Sequence, residues 1–81
     1  MSGGGPDPLG TARSRVLLAV RGLDTDAERD KVHGALTRLA GVHAVEAAGP
    51  QLLLVHYDAG ETTVMDMIRA ARKLGFLAGM A

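Results

Sequence analysis

With 81 residues the chain is expected to hold one small domain, and 47% hydrophobic residues is enough for a packed core and too many for a disordered chain. Nine Lys plus Arg balance nine Asp plus Glu, and this formal net charge of zero argues against nucleic acid or an anionic membrane as partner. There is no cysteine, which excludes disulfides, thiolate catalysis, iron–sulfur clusters and every Cys-based zinc site.

Residues 1–14, MSGGGPDPLGTARS, carry glycine and proline and no apolar run. They read as a disordered tail and not as a secretory signal, so the cytoplasm is the expected location. No segment approaches the roughly 20 apolar residues that span a bilayer, and no membrane insertion is expected. The folded domain is expected over 15–81. Arg15 to Arg21 (RVLLAVR) is short, apolar and rich in β-formers, hence a first strand. Val32, Ala35, Leu36 and Leu39 then recur at i, i+3, i+4 and i+7, one face of a helix. Thr25-Asp26-Ala27-Glu28 before it is a T-x-x-E capping box, in which Thr25 accepts from the Glu28 N–H and Glu28 reaches back to the Thr25 N–H. Gly41 is read as the left-handed cap that ends this helix. Val42 to Ala47 is a second strand, Ala48-Gly49-Pro50 a turn, and Gln51 to Tyr57 (QLLLVHY) a third strand. A second helix presents Val64, Met67, Ile68 and Ala71 on one face, Gly75 caps its end, and Phe76 to Met80 closes the chain as a fourth strand. The order βαββαβ predicts an α+β, ferredoxin-like sandwich: a four-stranded antiparallel sheet with both helices on one face.

Several short stretches in this order resemble the heavy-metal-associated (metallochaperone-like) domains of copper chaperones and metal-pumping ATPases. Leu39-Ala40-Gly41-Val42 is similar to the family's L-x-G-V at the end of the first helix, Val55-His56-Tyr57-Asp58 to its V-x-Y-D, and Leu74-Gly75-Phe76 to its A-G-F. The resemblance runs from about Val16 to Ala78. It aligns Gly22-Leu23-Asp24-Thr25-Asp26-Ala27-Glu28 with the family's G-M-x-C-x-x-C loop. The two cysteine positions then fall on Thr25 and Glu28, and the methionine beneath the loop falls on Leu23. Two thiolates at that spacing suit a soft ion such as Cu(I); a hydroxyl and a carboxylate do not. No soft-metal site and no cofactor are therefore expected. The resemblance implies a binding domain that keeps the scaffold and acts by docking a protein, not an enzyme.

The alternative is a divalent metal ion held by Asp24, Asp26, Glu28 and His33. Acidic enrichment at a helix start explains the carboxylates without an ion, because the helix dipole favours negative charge there. His43 and His56 sit on neighbouring strands; a regular ladder sends His56 outward and His43 toward the helices, so no zinc pair forms. Met67 fits the apolar stripe and Met65 the opposite side of the second helix, so with Met80 they are assigned to packing and surface and not to copper. With one Tyr and one Phe the sheet lacks the aromatics an RNA-recognition module stacks on. The first loop lacks the arginine of an acylphosphatase phosphate loop and the D-x-x-G glycine of amino-acid-sensing domains. The sheet's outer face is predicted to be apolar: with Val16, Leu18 and Val20 inward, Leu17 and Ala19 point out, joined by Ala44, Leu52 and Leu54. Such patches mark interfaces, here with a protein partner or a second copy.

Overall fold

A computed structural model describes residues 13–81, with side chains described from Ser14 onward. The tail expected over 1–14 falls mostly outside the described residues. Its last two residues, Arg13 and Ser14, are strand. The elements are β1 (Arg13–Arg21), α1 (Asp26–Thr37), β2 (Val42–Gly49), β3 (Leu52–Asp58), α2 (Val64–Lys73) and β4 (Leu77–Met80). The sheet runs β2-β3-β1-β4 with every neighbouring pair antiparallel. This is the ferredoxin-like βαββαβ arrangement expected.

Alternation along the strands decides which face is packed. Val16, Leu18 and Val20 of β1, Val45 of β2, and Leu53 and Val55 of β3 are buried in one cluster with Val32 and Leu36 of α1 and Met67 and Ala71 of α2. Both helices therefore cover the same face. The i, i+3, i+4 stripes meet it as expected, with Ala35 of α1, Leu39 just past the end of α1, and Val64 and Ile68 of α2 partly buried at its rim. The odd-numbered outward residues of β1 lie on the other side, which neither α1 nor α2 covers.

Three local readings are corrected. Gly41 has a left-handed φ of 93°, yet α1 ends earlier: Arg38 is its C-cap, and the Thr37 hydroxyl bonds back to the carbonyls of His33 and Gly34. Gly41 serves the following turn, where its carbonyl accepts from the Asp58 N–H at 2.7 Å and a Cβ would stand 2.7 Å from Glu61 Cβ. The β2–β3 turn falls one residue later than expected, because Gln51 adopts φ 58° and belongs to the turn and not to β3. Phe76 is buried and precedes β4. The Gly75 reading holds. Gly75 N–H bonds the Arg72 carbonyl and Phe76 N–H the Ala71 carbonyl, the paired bonds of a Schellman motif, at φ 94°.

Candidate functional site

The connection from β1 to α1 is pinned at three points. The Gly22 N–H donates to the Gln51 side-chain oxygen at 3.0 Å, while the Gln51 carbonyl accepts from Val20 N–H at 2.9 Å. Leu23, at the position the resemblance gives to a packed methionine, is 2% exposed and anchors the loop in the core. Thr25 is the N-cap of α1: its hydroxyl oxygen accepts from the Glu28 N–H at 3.2 Å, and its carbonyl takes the Arg29 N–H at 3.0 Å.

The return half of the expected box differs. Glu28 Oε1 accepts from the Asp24 N–H at 3.3 Å and from the Thr25 hydroxyl at 3.2 Å, and does not take the Thr25 N–H. At α2 the shorter Asp66 stands in the equivalent position and closes a reciprocal box with Thr63, taking the Thr63 N–H at 3.2 Å. Glu28, one methylene longer, instead bonds one residue further upstream, at the Asp24 N–H. The α2 box, Thr63-Val64-Met65-Asp66, was legible as T-x-x-D and was not read from the sequence.

The two positions aligned with metal-binding cysteines thus bond to each other and to the loop backbone. Asp26 is turned to solvent and pairs with Arg29 at 3.3 Å. Asp24 and Asp30 are exposed, and His33 is exposed further along α1. Among the described residues no group of three or more His, Cys, Asp or Glu side chains is placed to hold a metal ion. Asp24, Asp26, Glu28 and His33 are therefore not brought together.

At the far end of the sheet, His43 departs from its expected place. The β2–β3 register shifts between Val42 and Ala44, so His43 sits in a β-bulge, exposed, instead of facing the helices. It lines a shallow cavity of about 540 Å³ together with Arg15, Glu46 and His56. His56 Nε2 lies 2.6 Å from Glu46 Oε2, the imidazole donating to the carboxylate. Met67 is buried and Met65 is 53% exposed, as their helix positions required. Tyr57 packs against the core and Phe76 is buried, so the open face carries no aromatic side chain from among the described residues. Leu17, Ala19, Ala44, Leu52 and Leu54 all fall outside the buried core. Leu17 is exposed and the other four are half-buried. Leu77 of β4, 64% exposed, extends the patch and was not foreseen; its pairing with the outward Arg21 puts it on this face.

The fold is that of heavy-metal-associated domains. The chain is similar to the yeast copper transporter domain Ccc2a, solved in apo and Cu(I)-loaded states, at 27% identity and TM-score 0.77 over 86% of this chain and 96% of that one. It is similar to oxidised MerP from Ralstonia metallidurans CH34 at 24% identity and TM-score 0.79 over 85% and 97%. It is similar to the metallochaperone CopZ at 24% identity and TM-score 0.76 over 82% and 100%. No protein-family model matches the chain, and no curated protein matches it. The resemblance read from the short motifs therefore holds for the fold, and the chain has no cysteine with which to form the C-x-x-C loop. Among the described residues no helix is long and apolar enough to cross a membrane.

Proposed function

We propose that this chain is a metallochaperone-like binding domain that has given up the soft-metal thiolate site and works by docking a protein. One observation carries the reading: Thr25 and Glu28 are engaged with each other and with the backbone at the start of α1. A hydroxyl and a carboxylate are hard donors, and Cu(I) selects thiolate and thioether sulfur. Ion capture is replaced by helix capping, and the end of the domain that holds the loop is left as a protein surface. Asp24, Asp26 and Glu28 make that surface acidic, which favours a basic partner.

The test is anaerobic Cu(I) titration against a chromogenic competitor. The unmodified chain is expected to take up no stoichiometric copper. The double substitution Thr25→Cys plus Glu28→Cys, on a scaffold already shaped for the motif, is expected to gain one Cu(I) per chain. Stoichiometric Cu(I) uptake by the unmodified chain sinks the proposal. Zn(II) calorimetry separates the alternative: heat from sub-millimolar binding that Glu28→Ala abolishes favours the Asp24, Asp26, Glu28 and His33 set instead.

A further inference from the structure

The two helices leave a groove between them. Ala35 stands three residues after Val32, and Ala70 three after Met67, so each flanks the core stripe of its own helix. Neither side chain extends past one methyl. Together they floor a shallow groove of about 440 Å³, walled by Leu39 and Leu74. Leu74 is 44% exposed, a large apolar side chain at the mouth.

Cations surround this groove. Arg69 and Lys73 of α2 line it. Lys31 and Arg38 stand at i−4 and i+3 from Ala35, on the same flank of α1. Arg72 adjoins Arg69 and Lys73 in a second shallow cavity. All five are exposed, and Lys31, Arg38, Arg72 and Lys73 form no ion pair among the described residues. The acid at the groove, Asp66, is already engaged: its carboxylate accepts the Thr63 N–H at 3.2 Å and lies 3.8 Å from Arg69. The dipole of α2 accounts for Arg72 and Lys73 in its last turn. Lys31 and Arg69 stand in mid-helix, where the dipole gives no reason for a cation. The chain as a whole is neutral, so the excess is local.

We infer that the groove between α1 and α2 docks an acidic peptide segment of a partner protein. A leucine-sized side chain of the segment sits over Ala35 and Ala70, and its carboxylates meet Lys31, Arg38, Arg69 and Lys73. Charge complementarity selects an anion, and the apolar floor and walls select a peptide among anions. A phosphate backbone would meet the cations and leave Leu39 and Leu74 unused. A second copy does not supply the segment through its own acidic run, because Asp24 to Asp30 carries no apolar side chain larger than Ala27. The groove is a surface separate from the acidic α1 loop, and its occupancy is independent of what that loop binds.

The test is a ¹⁵N titration of the unmodified chain with a short capped peptide of Asp and Glu carrying two central leucines, up to about 1 mM. Saturating amide shifts are expected at Ala35, Leu39, Ala70 and Leu74, weakening as salt screens the charges. The same peptide with serines for leucines should bind at least fivefold more weakly, and one with lysines for the acids should not bind. Arg69→Glu plus Lys73→Glu, checked for folding by circular dichroism, should lose at least tenfold in affinity. Ala70→Leu, which fills the floor without changing charge, should lose at least fivefold. No shift at 1 mM peptide overturns the inference, and so do shifts confined to the α1 loop or the outer sheet face. Equal binding of the serine peptide, of a DNA duplex or of anionic phospholipid vesicles at the groove overturns it as well, because charge alone would then suffice. Groove shifts that grow with protein concentration in the absence of peptide assign the site to a second copy and overturn the partner segment.

Discussion

Replacing Thr25 by Ala tests whether the loop is closed by its own side chains. The substitution removes the acceptor for the Glu28 N–H and the hydroxyl that donates to Glu28 Oε1, both at 3.2 Å, and leaves Leu23 in the core. Loss of a Thr N-cap costs about 1 kcal/mol, within a range of about 0.5–2. Both bonds are solvent-exposed, so water replaces part of the loss and the expected cost is about 0.5–1 kcal/mol. Unfolding entropy of about 2.1 cal/mol/K per residue over roughly 70 folded residues is about 0.15 kcal/mol/K. The melting temperature should therefore fall by roughly 3–7 °C, read by circular dichroism at 222 nm. Amide exchange at Glu28 should accelerate. Thr25→Ser, which keeps the oxygen, should stay within about 2 °C of the unmodified chain. If Thr25→Ala melts within 1 °C of the parent and Glu28 exchange is unchanged, the hydrogen bonds of this loop do not hold it, and the capping account fails.

Two further substitutions separate backbone freedom from packing. Gly34 lies inside α1 and a Cβ there would meet nothing within 4 Å, so Gly34→Ala should stabilise the domain by about 0.5–1 kcal/mol, seen as a higher urea midpoint at unchanged slope. Gly41 and Gly75 share a left-handed φ, but a Cβ at Gly75 meets nothing within 4 Å while one at Gly41 strikes Glu61. Gly75→Ala should cost about 1 kcal/mol of backbone strain and Gly41→Ala about 3 kcal/mol, and equal losses in urea unfolding would refute the clash.

The fold was legible because period and length agree along the chain. The alternation in RVLLAVR and QLLLVHY and the stripes of Val32, Leu36, Met67 and Ala71 are core contacts repeated at the spacing of their element. The features that were not legible depend on geometry that spacing does not encode. A bulge at His43 inverts the facing of one residue without leaving a mark in composition. Gln51 adopts a left-handed φ although neither Gly nor Asn stands there, and its side-chain bond to Gly22 N–H spans 29 residues. The Glu28 partner was missed by one residue because the motif gives a spacing and not a reach. In the loop, the resemblance aligned Thr25 and Glu28 with the family's cysteines, and only the geometry showed what they bond to.

The energetics of the loop show what holds it in place. Exposed hydrogen bonds of the Thr25–Glu28 cap contribute about 1 kcal/mol, whereas Leu23, nearly fully buried, contributes about 2–3 kcal/mol by removal of its side chain from water. The larger share of what fixes the loop thus comes from beneath it, and the cap adds the definition of where α1 begins. A loop held mainly by its floor can exchange the residues at its top with little loss of stability. Thr25 and Glu28 are exposed or half-exposed positions whose side chains touch no core residue in any hydrogen bond they make. That is the physical condition under which one fold can carry either a pair of sulfur ligands or a pair of capping side chains, and it is why introducing Thr25→Cys and Glu28→Cys is expected to change what this end of the domain binds while leaving the fold in place.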